Sequence, residues 1–289
     1  MLQLNLRDKT FYYLGTTRYQ NSIVSDRYSK YFEWVSDRPD LPTFFTYLNL
    51  DESLDTKYTS RNALLVESSS IIPFQLKWVH KHAGNFMDIY THNSELLKLC
   101  KRSRWIPGGG IWIGTEFGGG EVKIYGKTKL CSFVSSDKQM CDLHKLRWSV
   151  YKYIMSTEPA GVELFGAATG KFVKAIEYLR YYRFSIVFEN NIDDLYFTEK
   201  ILNCFATGTI PIYLGARNIS SVFDADGIIQ FSSAKELLSV LPKLTNELYE
   251  SKIRAVEHNF NVCQQFACIE DFMWENYVKE NYERWNNYK

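Results

Sequence analysis

The sequence predicts an α/β protein made of two halves, each a parallel β-sheet with crossover helices. Three observations point that way. Short apolar runs of strand length alternate with segments of helical period on both sides of residue 120. Two glycine triplets, at 108–110 and 118–120, punctuate the chain between the alternating regions. At 289 residues the chain is long for one domain and sufficient for two, each able to bury a core.

In the first half, residues 62–67 (Asn-Ala-Leu-Leu-Val-Glu) read as a buried strand ending in a carboxylate. Residues 73–82 read as a helix with Pro73 at its first position, where a missing N–H costs nothing. A strand follows at 87–91, then a helix from near Asn93. Residues 16–60 keep no single period and receive no assignment. The glycine-rich stretch at 105–125 lacks the strand before and helix after that a phosphate-cradling loop needs, so it is read as a flexible connection.

The second half alternates more cleanly. Strands are predicted at 130–134, 162–165, 183–188, 210–214 and 227–231. Helices are predicted at 143–154, 171–180, 198–206 and 234–241. The resulting divisions are residues 1–122, 123–268 and a C-terminal helix, 269–289. In that helix Trp274, Tyr277, Val278, Tyr282, Trp285 and Tyr288 recur three or four apart. Packing on the body of the protein is the preferred reading, with peripheral membrane contact as the alternative. Glu275, Glu280 and Glu283, set among Lys279 and Arg284, weaken attraction to anionic lipid.

With 34 Lys and Arg against 33 Asp and Glu, the chain carries no electrostatic footprint for a nucleic-acid partner. No apolar run reaches transmembrane length, and the first residues are too polar for a signal peptide, so a cytoplasmic protein is expected. The six cysteines form no C-x-x-C pair and have no histidine at zinc-finger spacing, so reduced thiols are expected.

In parallel sheets ligands gather beyond the carboxyl ends of the strands, which selects the residues following Glu67, Val134, Phe188 and Leu214. The richest of these stretches is 182–215. A strand ends in Glu189-Asn190, a polar loop follows, and a helix opens at Thr198-Glu199-Lys200. Thr198 is a good N-cap. A helix start offers free N–H groups and a positive dipole end to a phosphate, and Lys200 adds a full charge there. Glu199 has acceptors only, which suits ribose hydroxyls. A nucleoside diphosphate would satisfy both residues, and a plain Glu199–Lys200 surface pair is an equally good physical alternative.

This segment resembles the donor-binding motif of the family-10 α-1,3/α-1,4-fucosyltransferases, which runs F-x-x-x-F-E-N, an aromatic six residues on, T-E-K, then G-T-x-P-[IV]. Phe184, Phe188-Glu189-Asn190, Tyr196, Thr198-Glu199-Lys200 and Gly208-Thr209 to Ile212 match it without a gap. The resemblance extends more weakly from about residue 60 to 260. It implies a GT-B fold, two Rossmann-like domains facing a cleft. It also implies that Asn190, Tyr196, Glu199 and Lys200 contact the nucleotide of GDP-fucose. The family's strand-end general base, often in E-S-P, corresponds to Glu67 in Glu67-Ser68-Ser69. The family's R-x-R segment, which reaches the pyrophosphate, corresponds to Lys145-Leu146-Arg147, and either basic residue fits the role. His144 beside them reads as a helix-surface residue.

The expected reaction is inverting transfer of L-fucose from GDP-β-L-fucose to a hydroxyl of an oligosaccharide or glycolipid. No metal cofactor is expected, because Asp193-Asp194 and Asp224-Ala225-Asp226 read as loop residues rather than as a metal-binding D-x-D pair. Transfer of another sugar from a related GDP donor, or carbohydrate binding on the same scaffold without catalysis, are the alternatives.

Overall fold

A computed structural model describes residues 1–8, 18–19, 27–166, 170 and 173–286. The chain divides into two compact units, Met1–Gly110 with Cys268–Lys289, and Ile111–Ala267. The sequence set this division at 122 and kept the C-terminal helix apart. The chain instead enters the second unit at Ile111, whose N–H donates to the Ala267 carbonyl at 3.3 Å. The Trp112 and Ile113 amides both donate to Asn203 Oδ1, at 2.8 and 3.2 Å. The second glycine triplet closes a compact turn rather than an open connection. Gly114 N–H donates to the Gly119 carbonyl at 3.0 Å. A Cβ at Gly118 would stand 1.8 Å from the Trp112 carbonyl oxygen, so only glycine fits there.

The first unit holds a sheet of β1 (Leu2–Arg7), β2 (Arg18–Tyr19), β3 (Phe32–Val35), β4 (Thr43–Phe45), β5 (Arg61–Leu65), β6 (Asp88–Thr91) and β7 (Ser103–Trp105). Their order is β2-β3-β1-β4-β5-β6-β7, parallel except for the β2–β3 pair. Ala63, Leu64 and Leu65 are buried on both faces of the sheet, as an inner parallel strand requires. Helix α1 (Pro73–Lys81) follows β5, and α2 (Ser94–Leu99) follows β6, with Asn93 capping α2 by accepting from Leu96 N–H.

The C-terminal segment belongs to this unit as α9 (Ile269–Met273), a π-turn at Trp274–Val278 and α10 (Lys279–Asn286). Its aromatic stripe is consumed by packing. Trp285 meets Phe44 edge-on at 5.7 Å and donates to Asp88, and Tyr277 donates to the Trp105 carbonyl. Tyr288 lies outside the described residues. Among the described residues no helix is long and apolar enough to cross a membrane.

The second unit holds an all-parallel sheet of β8 (Lys129–Ser135), β9 (Val162–Gly166), β10 (Tyr182–Phe188), β11 (Ile210–Leu214) and β12 (Ile229–Gln230), in the order β12-β11-β10-β8-β9. Helix α3 (Asp142–Thr157) follows β8, α4 (Ala175–Leu179) precedes β10, α5 (Glu199–Phe205) joins β10 to β11, and α6 (Ala234–Val240), α7 (Asn246–Ser251) and α8 (Ile253–Cys263) follow β12. The predicted start of α4 at Lys171 lies outside the described residues. Phe133, Phe184, Ile186, Ile210 and Ile212 form the core against Tyr151 and Ile154 of α3. From β8 the chain steps to β9 on one side, then crosses to β10 on the other. That reversal is a topological switch point, and it opens a crevice at the carboxyl ends of β8 and β10.

Candidate functional site

Strand β10 delivers Glu189 and Asn190 to this crevice. Glu189 is fully buried, and its two carboxylate oxygens accept from Thr198 N–H at 2.9 Å and Thr198 Oγ1 at 2.8 Å. Thr198 in turn caps α5. Tyr196, 1% exposed, donates its hydroxyl to Asn190 Oδ1 at 2.7 Å, which ties the ends of the intervening loop together. Lys200 Nζ lies 2.9 Å from Thr198 Oγ1, 3.0 Å from Glu199 Oε1 and 3.3 Å from Glu189 Oε2. Burial opposes the lysine's charge, but Glu199 and Glu189 outweigh it and hold its pKa above the usual value. Burial pushes the Glu189 carboxyl up, against the pull of Lys200. The Glu199–Lys200 pair therefore exists, but as part of a largely buried cluster rather than on the surface.

From the other side, α3 contributes Arg147, 8% exposed, whose guanidinium donates to Ser136 Oγ at 2.9 Å. Its Nε is buried with no hydrogen-bond partner. Lys145 is different: its side chain is 61% exposed and pairs with Asp142 at 3.3 Å. His144, expected on the helix surface, is 7% exposed. Burial, then the charges of Arg147, Lys200 and Lys138, lower its pKa to about 4.

These elements surround a cavity of about 740 Å³. Ser135, Ser136 and Lys138 line it from the end of β8, Arg147 and Trp148 from α3, and Glu199 and Lys200 from α5. Gly166 ends β9 here with φ +88°, and a Cβ on it would meet the Ser135 carbonyl oxygen at 2.4 Å. Glycine thus lets the ends of β8 and β9 close in on the cavity. A cavity of this size with clustered cations, hydroxyls and two indole rings can take an anionic ligand bearing a flat ring system.

Sequence reasoning missed Ser136, Lys138 and Trp148 as lining residues and Glu189 as the organiser of Thr198 and Lys200. Ser136, Lys138 and Glu189 share one signal, a position just past a strand's carboxyl end, which Trp148 on α3 lacks. Among the described residues no group of three or more His, Cys, Asp or Glu is arranged to hold a metal ion. Asp224 accepts from Asp226 N–H at 2.9 Å, and Asp193 from Asp194 N–H at 2.7 Å, so both pairs shape loops.

In the first unit, Glu67 follows β5 as a partly exposed carboxylate. Its N–H donates to the Tyr47 hydroxyl at 2.6 Å, its carbonyl lies 3.1 Å from His92 Nε2, and Oε1 accepts from Ser68 N–H at 3.0 Å. Burial, with Glu67's charge second, raises the Tyr47 pKa, so the phenol stays neutral as a fixed prop.

A family model described as glycosyltransferase family 10 (fucosyltransferase) C-term matches residues 124–282. The 4-galactosyl-N-acetylglucosaminide 3-alpha-L-fucosyltransferase 9 of Mus musculus is 30% identical over 127 residues, 40% of this chain and 33% of that protein. GDP-fucose protein O-fucosyltransferase 3 of Xenopus tropicalis is 31% identical over 113 residues, 36% of this chain and 24% of that protein. The match thus spans a third or less of these relatives' lengths. An α1,3-fucosyltransferase solved with GDP-fucose has a TM-score of 0.53 at 15% identity, covering 87% of this chain and 81% of that one. A GtfA/B complex has a TM-score of 0.52 at 9% identity, covering 84% and 58%. The likeness to both is one of fold, and the fold is GT-B.

Proposed function

Because the chain belongs to glycosyltransferase family 10, the fucosyltransferase family, we propose that it transfers L-fucose from GDP-β-L-fucose to a hydroxyl of an acceptor oligosaccharide, with inversion at the anomeric carbon. One observation carries the donor assignment: Lys138, Arg147 and Lys200, from three separate elements, line a single cavity at the switch point of a parallel sheet. Opposing cations on one cavity call for an anion, and a nucleoside diphosphate fits that charge and position.

In this reading Arg147 rather than Lys145 takes the diphosphate, offering a planar fork while Lys200 offers a point charge. Glu199 accepts from ribose hydroxyls, while Asn190 and Tyr196 keep the loop before α5 in shape. As the bond to the anomeric carbon breaks, negative charge grows on the departing GDP, and the two fixed cations stabilise it without reorganising. They supply the positive charge that leaving-group departure needs, so no metal ion is required. Glu67 takes the proton of the acceptor hydroxyl as that oxygen attacks opposite the leaving group, which gives an α-linked fucoside.

The test is a donor screen with GDP-fucose, GDP-mannose and UDP-glucose, using N-acetyllactosamine as acceptor and following nucleotide release and product mass. Fucosylated product from GDP-fucose is expected. Turnover of GDP-mannose alone would transfer the assignment to another GDP-sugar. Binding of GDP-fucose with no turnover across a panel of acceptors would favour a carbohydrate-binding protein, and turnover of UDP-glucose would overturn the donor assignment.

A further inference from the structure

We infer that His144 belongs to the diphosphate-binding group of this cavity and takes up a proton from solvent when the diphosphate binds, so that donor affinity falls as pH rises. The inference rests on the proposed donor site and adds a residue and a proton to it.

His144 lies in the first turn of α3, three residues before Arg147, so the two share one face of the helix. The imidazole is 7% exposed, and its Nδ1 is buried with no hydrogen-bond partner. Arg147 Nε is in the same condition one turn on. Buried polar atoms in folded proteins are almost always bonded, so two adjacent exceptions need an explanation. A ligand atom that arrives from outside supplies one.

Charge tells what kind of ligand. The ring stands in the field of Arg147 on its own helix, Lys200 on α5 and Lys138 in the loop after β8, and all three line the cavity. Of the nearby acids, Asp137 lines the cavity beside Lys138, and the others are engaged. Glu189 and Glu199 face Lys200, and both act on Arg147. Asp142 pairs with Lys145 at the surface. Together with burial, the cations keep His144 neutral, with a pKa near 4.

A diphosphate diester brings two negative charges into this group. It offsets the repulsion from the cations, and that raises the imidazole pKa. The sign follows by linkage. Between the pKa near 4 in the free protein and the higher value in the complex, the complex binds more protons than its components. Affinity therefore declines with rising pH across that window, by at most about tenfold per unit, and levels off above the pKa of the complex.

The experiment is calorimetric titration of GDP-fucose, without acceptor, at pH 6 in buffers of differing ionisation enthalpy, followed by affinity measurements from pH 5 to 7.5. The diester does not itself titrate in this range. Wild type should take up about half a proton to one proton and lose about tenfold or more in affinity between pH 5 and 7. His144→Gln, with His144→Asn as a second neutral variant, should bind with no proton uptake and a flat profile. Binding by wild type without proton uptake overturns the inference and leaves the donor site standing. Unchanged uptake in both variants also overturns it. Absence of any binding by wild type removes the donor site and the inference together.

Discussion

The two units use the same architectural position, the carboxyl end of a parallel strand, in opposite ways. In the second unit Glu189, Glu199, Lys200 and Arg147 form a largely buried charged group in which Lys200 touches two carboxylates and a hydroxyl. In the first, the partly exposed Glu67 accepts from Ser68 N–H, and its backbone is fixed by Tyr47 and His92. The difference reflects what each is proposed to do. A leaving diphosphate needs cations held in place before the reaction, and holding buried cations takes buried acids. A general base needs only one carboxylate at a fixed point, because its partner comes with the acceptor.

If that division holds, substitutions in the two units should separate turnover from donor binding. The largest effect is expected at Glu67. Glu67→Gln keeps the shape but cannot take a proton at neutral pH, so turnover should fall ~10²–10⁴-fold. GDP affinity, measured on the same sample, should be unchanged. Normal turnover would remove Glu67 as the base.

Asp88 sharpens the comparison, because it too is a buried acid among cations. It pairs with Arg104 at 3.0 Å and Arg284 at 2.7 Å, and accepts from Trp285. It sits at the amino end of β6 and fastens α10 to the sheet. Asp88→Ala should lower unfolding free energy by about 2–4 kcal/mol in chemical denaturation, the low side of the usual range because both arginines are partly exposed. GDP affinity in the folded variant should not change, and a change would break the distinction between fastening and binding clusters.

Within the second unit the contrast lies between neighbours. Removing charge-assisted hydrogen bonds worth about 1.5–3 kcal/mol should weaken GDP binding about 10- to 100-fold in Arg147→Ala and in Lys200→Ala. Lys145→Ala, two residues from Arg147 but at the surface, should change it by no more than about threefold. Equal losses at Lys145 and Arg147 would mean that long-range charge, not the cavity, binds the nucleotide. The smallest effect is expected from chelation. Transfer should persist in excess EDTA, and complete loss restored by Mn²⁺ or Mg²⁺ would contradict charge neutralisation by Arg147 and Lys200.

What could be read from the sequence follows from how local each feature is. The strand at 210–214 is a continuous apolar run buried on both faces, and the family motif is contiguous from Glu189 to Lys200, so the strand and the family were legible. β1 went unread although Leu2, Leu4 and Leu6 alternate with polar residues; what the sequence does not show is that Asn5 among them is buried. That side chain is satisfied by Thr43 Oγ1 and the Arg38 amide, more than thirty residues away. β3 and β4, four and three residues long, are too short to show a period. His144 looked like a surface residue because its sequence neighbours are charged, and its burial comes from elements that meet α3 only after folding. The boundary at Ile111 depends on Asn203, over ninety residues later, accepting two amides.

Hydrogen exchange on the wild-type protein with and without GDP tests most directly where the nucleotide sits. GDP should slow exchange in peptides covering 135–147 and 188–200 and leave those covering 61–92 unchanged. Protection confined to 61–92, or none in the second unit at saturating GDP, would contradict a donor site at the switch point between β8 and β10.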